Sequence, residues 1–249
     1  MRLIIALFIL SCFPILGQNI TDKLGRKQGV WIKYWDKSET IPQYKGEFID
    51  GTPVGQFWYY YPSGEVRAII EHLNKSQSYV TYYFKNEEVM SEGMYLDKKR
   101  DSVWINYNQS GYTVSMEKYK EGKLNGKKLT FYLQNQIDRG EIKVLSETYY
   151  LDSLKSGPYR ELFSSGKVRL SGQYLKDLPH GLWRKFDAEG RCTQSFRFKN
   201  GLKHGWVINY SQNKEIIHKE LYKNGELLKG KARVAYLKEC EIKGIDPNE

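Results

Sequence analysis

Two histidines, His180 and His204, stand 24 residues apart, each directly before a glycine. A column of imidazoles is metal-ligand chemistry in type. In spacing it is not. Equivalent residues of successive two-strand units lie about 9–10 Å apart, whereas one zinc holds its ligands within about 2.0–2.3 Å. Both histidines are therefore expected to be exposed in turns, and His72 and His218 show no partner pattern. No Gly-x-Ser-x-Gly elbow, His-Glu-x-x-His, phosphate-binding glycine loop or cysteine–histidine pairing occurs, so no catalytic residue, metal or cofactor is expected. The cations are more suggestive. Lys98, Lys99, Arg100, Lys123, Lys127, Lys155, Lys176, Lys199, Lys203 and Lys223 fall in or beside one recurrent turn. Lined up along an edge, Lys99, Arg100, Lys123, Lys127, Lys199 and Lys203 could hold an anionic surface multivalently. The plainer reading is a solvated edge that resists aggregation. The tyrosines and tryptophans could stack on sugar rings, but recurrence in every unit reads first as a packing ladder.

What positions these residues is a repeat. A glycine is followed two residues later by a large residue, and three after that by an aromatic: Gly29-Val-Trp31-Ile-Lys-Tyr34, Gly55-Gln-Phe57-Trp-Tyr-Tyr60, Gly181-Leu-Trp183-Arg-Lys-Phe186 and Gly205-Trp-Val207-Ile-Asn-Tyr210. Gly126 and Gly157 open further copies, and Ser78 and Ser102 replace the glycine before Val80 and Trp104. The anchors fall at 29, 55, 78, 102, 126, 157, 181 and 205. A period near 24 marks a repeat array, each unit burying its apolar face against its neighbours.

Each unit has a front half with an aromatic seven residues before the anchor and a turn former four before it, as in Phe48-Ile-Asp-Gly51 and Phe198-Lys-Asn-Gly201. A second turn follows nine residues after many anchors, as in Pro62-Ser-Gly64 and Ala188-Glu-Gly190. One unit is thus strand, turn, strand, turn, and turns this short join only antiparallel neighbours. The expected fold is all-β: an elongated single antiparallel sheet of tandem β-hairpins spanning 18–229. Trp31 and Tyr34 differ by an odd number and face opposite ways, so both faces carry aromatics. Gln134 to Glu147 reads as a lengthened hairpin. A ninth unit opens at Tyr222-Lys-Asn-Gly225 without finishing. Lys231 to Glu241 is composed of helix formers and is expected to be a short amphipathic cap, within a cap and tail of 230–249 whose last residues, Asp246 to Glu249, fray.

Residues 1–17 read as a secretory signal peptide, with Arg2, an apolar run from Leu3 to Leu10, and cleavage after Gly17. Acylation at Cys12 and an uncleaved anchor are the alternatives. No other stretch is apolar enough to span a bilayer. The mature chain keeps Cys192 and Cys240, whose spacing does not show that they meet; two unpaired thiols are the simpler expectation. The net charge of +10 points to an anionic partner, and export turns that away from nucleic acid toward lipid, glycan or acidic protein.

Tyr44-Lys-Gly46-Glu-Phe48-Ile-Asp-Gly51 followed by Gly55 resembles the MORN repeat, and the later Gly-x-Trp-x-x-Tyr and Lys-Asn-Gly-x-x-x-Gly copies are similar to the bacterial MORN variant, including the YwqK-like antitoxin family. The likeness covers about residues 25 to 229. It implies hairpin units, roles in protein or lipid binding, and no catalytic residues. The resulting expectation is an exported, non-enzymatic protein–protein interaction scaffold at the bacterial cell envelope. A peripheral binder of anionic lipid or glycan through the basic edge, and an antitoxin-like neutraliser of a cognate toxin, are the alternatives.

Overall fold

The computed structural model describes residues 18–133 and 142–249. Residues 1–17, which hold the expected signal peptide and Cys12, and residues 134–141 of the expected lengthened hairpin lie outside them. The chain is all-β: an open antiparallel sheet of 19 strands, with a single helix among the described residues at the C-terminal end. Contacts cluster into two units that divide between Glu87 and Glu88, inside the array.

The first unit carries β1 (Ile20–Thr21), β2 (Lys27–Tyr34), β3 (Pro42–Ile49), β4 (Thr52–Tyr60), β5 (Val66–His72) and β6 (Gln77–Tyr83). Each pairs with the next in sequence. The second unit holds β7 (Val89–Leu96), β8 (Lys99–Tyr107), β9 (Thr113–Lys120), β10 (Lys123–Phe131), β11 (Val144–Leu151), β12 (Leu154–Leu162) and β13 (Val168–Leu175). It continues with β14 (Leu178–Phe186), β15 (Cys192–Lys199), β16 (Leu202–Lys203), β17 (Gly205–Tyr210), β18 (Ile216–Lys223) and β19 (Glu226–Leu228), then α1 (Gly230–Lys243).

Two turn types alternate. One is a two-residue turn with positive φ at both central residues: Asp50-Gly51, Asp97-Lys98, Glu121-Gly122, Asp152-Ser153, Lys176-Asp177, Asn200-Gly201 and Asn224-Gly225. Mirror-image turns of this kind match the twist of the strands they join. Their second residues donate to carbonyls one unit earlier, Gly51 to Lys27 at 2.9 Å, Gly122 to Arg100 at 2.8 Å and Gly225 to Lys203 at 2.8 Å. The other turn is longer, closed by pairs such as Tyr61 N–H to Glu65 O and Gly64 N–H to Tyr61 O. The lengthened hairpin joins β10 to β11, and Tyr132 N–H donates to Lys143 O at its base.

Most anchors prove to be bulges. Lys45 opposes Trp58 and Glu47 opposes Val54, so β4 carries two extra residues around Gly55; the same shift recurs at Gly126, Gly157 and Gly181. The bulged residue has positive φ, 63° at Gly55 and 65° at Gly181, where a glycine is unstrained. Ser102 keeps the bulge at φ 60° and bears that strain. Ser78 departs from the sequence reading: β5 and β6 pair in regular register through Ser78 opposite His72, with no bulge.

The bulge directs the ring that follows it. Phe57, Trp104 and Trp183 lie on the strand beside them over Gly46, Gly93 and Gly172, where any Cβ would come well under 3.0 Å from ring carbons. Other copies carry a different residue in place of this glycine: Thr148 faces Tyr159, and Glu117 opposes Lys128. The last pair replaces a ring contact by a 2.7 Å ion pair. Rings meet edge to face along this packed side: Phe48–Phe57 at 5.1 Å in the first unit, Tyr95–Trp104 at 5.2 Å and Tyr174–Trp183 at 5.2 Å in the second. Phe57, Val80, Trp104, Trp183 and Val207 are buried there. Trp31 belongs to the same face, beside Phe48.

The C-terminal segment corrects two expectations. The helix exists, but it is not amphipathic: Val234 and Ile242 are exposed and Cys240 is its only buried residue. It is held by a few contacts rather than by an apolar stripe. The tail does not fray. Asn248 Oδ1 accepts the Trp206 N–H at 3.1 Å, and Lys199 Nζ donates to the Glu249 carbonyl. The bulge at Gly205 leaves that N–H free for a side chain to bind.

Candidate functional site

The expected basic edge exists as positions, but most of its cations are already engaged. The residue two before the anchor lies over rings: Lys27 Nζ is 4.4 Å from the Trp31 ring, Arg100 4.1 Å from Trp104, Lys155 5.0 Å from Tyr174 and Lys203 5.3 Å from Tyr222. These are cation–π contacts that cover the rim of the packed face. Burial opposes the charge of Arg100, yet hydrogen bonds with Tyr119 and Tyr95 hold its pKa above the ordinary guanidinium value. Lys123 reaches Asp152 at 3.7 Å, and Lys127 reaches Glu147 at 3.9 Å. Lys199 binds the tail. Lys99 stays exposed, its stem against Gly122.

His180 and His204 are not brought together, and neither is the exposed turn residue expected: His180 is half-buried on β14 opposite Gln173, and His204 lies deeper. It is 6% exposed. Its Nδ1 is 3.1 Å from Asn224 Oδ1 and its Nε2 3.4 Å from the Tyr236 hydroxyl. The helix docks over the turn, and burial, opposed by the bond to Asn224, lowers the His204 pKa. Burial and a hydrogen bond with Cys240 push Tyr236 up to about 12. A cavity of ≈ 630 Å³ lies at this junction, with Lys199, Lys223, Glu239 and Asp246 in its wall. Lys223 already pairs with Glu239 at 3.4 Å. Cys192 and Cys240 are both free thiols. Among the described residues no three metal-ligating side chains converge, and no helix is long and apolar enough to cross a membrane.

The feature missed in the sequence lies on the other face of the first unit. Alternation along β4 sends Phe57 and Tyr59 to the packed side and Gln56, Trp58 and Tyr60 to the open side. On β3 the same alternation puts Lys45 and Glu47 opposite the ring-bearing residues Tyr44 and Phe48. Lys45 lies directly across from Trp58, and Glu47 across from Val30 on β2. Val30, Lys45, Glu47, Gln56, Trp58 and Tyr60 line a groove of ≈ 390 Å³. Lys45, Glu47 and Gln56 are exposed, and Trp58 and Tyr60 half-buried. Among the described residues, none of these five side chains makes a hydrogen bond, ion pair or ring contact within the protein.

A signal for this groove was present. The third residue after each anchor is Ile32, Thr81, Ile105, Leu129, Arg160, Arg184 or Ile208; Trp58 is the aromatic exception.

No protein-family model matches the chain, and no curated protein matches it. Among solved structures the chain is similar to the crystal structure of TarM, at 14% identity over 48% of this chain and 18% of that one, with a TM-score of 0.24. It is also similar to an S. aureus TarM mutant in complex with Fondaparinux, alpha-GlcNAc-glycerol and UDP, at 13% identity over 55% of this chain and 21% of that one, with a TM-score of 0.25. The chain thus spans about a fifth of the length of these neighbours. At these TM-scores the likeness carries no argument for this protein.

Proposed function

We propose that this protein is a non-enzymatic binding scaffold of the bacterial cell envelope, MORN-like in its repeats and exported by its apolar leader, that holds its partner on the open face of residues 18–87. The observation that supports this reading is the groove of Trp58 and Tyr60. It gathers aromatic faces and unpaired polar groups in a volume typical of ligand sites, about 300–1,000 Å³. Aromatic side chains gathered on a surface with polar groups around them are a common mark of a binding site. A basic-edge mechanism has less support, because Arg100, Lys123, Lys127, Lys199 and Lys203 have partners within the chain.

The test is crosslinking and capture from the native envelope fraction with the mature chain, with Trp58→Ala, and with Lys123, Lys127, Lys199 and Lys203 replaced together. The reading predicts a captured envelope component that Trp58→Ala loses and the lysine replacement keeps. Capture that survives Trp58→Ala and vanishes with the lysines would transfer the function to the basic edge.

A further inference from the structure

We infer that the groove of the first unit is a binding site for a neutral oligosaccharide. The inference rests on the proposed binding face and names the chemistry of its occupant. Three features select it. Trp58 and Tyr60 stand two residues apart on β4, about 6.6–6.8 Å of backbone rise in a regular strand, and both line the groove. Two adjacent apolar platforms suit flat, ring-shaped ligand units joined in a row. Around them the polar groups are mixed in kind. Glu47 only accepts hydrogen bonds, Lys45 only donates, and Gln56, the Tyr60 hydroxyl and the Trp58 indole complete the set.

A hydroxyl both donates and accepts, so a polyhydroxylated ligand satisfies Glu47 and Lys45 together. A proline-rich peptide offers carbonyls but few donors, and would leave Glu47 unpaired. The third feature is charge. Lys45 and Glu47 cancel, so the groove has no net attraction for a phosphate or a carboxylate, although the chain as a whole is strongly cationic. Specificity here belongs to the neutral part of an envelope glycan.

The test uses the mature full-length chain, with cellohexaose and the hexamer of N-acetylglucosamine as neutral probes and decaproline as the peptide probe. Titration is followed by calorimetry and tryptophan fluorescence at low and high salt. Saturable binding of at least one sugar probe is expected, unchanged by salt. Trp58→Ala should weaken it by about tenfold or more, the loss of one stacked ring and its contacts. Glu47→Gln should weaken it less, and Trp206→Ala, on the second unit, not at all. An unchanged far-UV spectrum and melting temperature for Trp58→Ala separate lost binding from lost folding. If neither sugar saturates the site, or if Trp58→Ala binds sugar as well as the parent, the inference is overturned. If decaproline or an envelope protein binds in a Trp58-dependent way instead, the glycan inference falls and the binding-face reading stands. Should Trp58→Ala alter the capture of no partner, both fall together.

Discussion

The open faces of the two units are built from the same repeat and differ in what their polar groups do. In residues 88–249 they bind one another. The Tyr107 hydroxyl donates to Glu92 at 2.6 Å, Arg160 bonds Glu147, Tyr210 bonds Ser195 at 3.0 Å, and Lys219 lies 4.8 Å from the Trp206 ring. In residues 18–87 the groove residues Lys45, Glu47, Trp58 and Tyr60 make no hydrogen bond, ion pair or ring contact among the described residues. The packed face shows no such contrast: both units bury a ring over a glycine, Phe57 on Gly46 and Trp104 on Gly93. Folding therefore constrains one face everywhere, and the other face is free to diverge into a self-satisfied surface or a binding one.

Stability measurements can break this comparison. Trp104→Ala should destabilise the protein by about 3–5 kcal/mol, the cost of emptying a fully buried aromatic site. Trp58→Ala, on the open face, should cost within about 1 kcal/mol. Urea unfolding of both variants checks it; equal losses would mean that the groove is packing rather than a site.

Next in size is the platform. Gly93→Ala and Gly172→Ala push a methyl group into Trp104 and Trp183, and each should cost about 1–3 kcal/mol. The fifth repeat sharpens the rule. Glu117→Gly or Lys128→Trp alone breaks a part-buried ion pair, whereas the double replacement restores glycine beneath a ring. The double variant should be more stable than either single one, measured by thermal melting.

Smaller still is the pH response. The His204 pKa is lowered in the folded chain, chiefly by burial. The unfolded chain therefore takes up a proton first as pH falls below the ordinary histidine value of about 6.5. Stability should be complete above that value and decline below it, until the folded-state pKa is passed. His204→Gln should flatten that part of the profile in melting curves. Glu117 adds a second, more acidic loss. Burial opposes its charge, but Lys128 and Tyr119 hold its pKa below the ordinary glutamate value, so its contribution is present above about 4.3 and is lost below it.

The smallest effect separates two tryptophans that occupy one repeat position. The Trp104 indole donates to the Met94 carbonyl at 3.0 Å. The Trp183 indole N–H is buried without a partner among the described residues. Replacement by Phe should therefore cost about 1 kcal/mol more at Trp104 than at Trp183.

The fold was legible because each signal is local and repeated. Turn residues before the anchor and nine after it set the hairpins, and the aromatic spacing set the strands. Glycine at the anchors was legible as the mark of the repeat, not as a bulge, because a bulge shows only in register with a second strand. Gly46, Gly93 and Gly172 were invisible for the same reason: their role is to lie under a ring from the neighbouring strand. The site was less legible. Lysines in turns suggest a free edge until the rings beneath Arg100 and Lys203 are seen. Trp58 looked like one more aromatic until alternation put it on the face opposite Phe57. His204 and Asn248 gained their burial and partners from the docking of the helix and tail, which no local pattern announces.

The central claim is that Trp58 is kept for a ligand while Trp104 and Trp183 are kept for the fold. The most direct measurement is the set of indole N–H signals in an amide-correlated NMR spectrum, recorded while the captured envelope ligand is titrated in and after transfer to heavy water. The account predicts that the Trp58 signal shifts with ligand and exchanges quickly, and that Trp104 and Trp183 neither shift nor exchange on that timescale. A ligand-induced shift at Trp104 or Trp183 with Trp58 unmoved would contradict it.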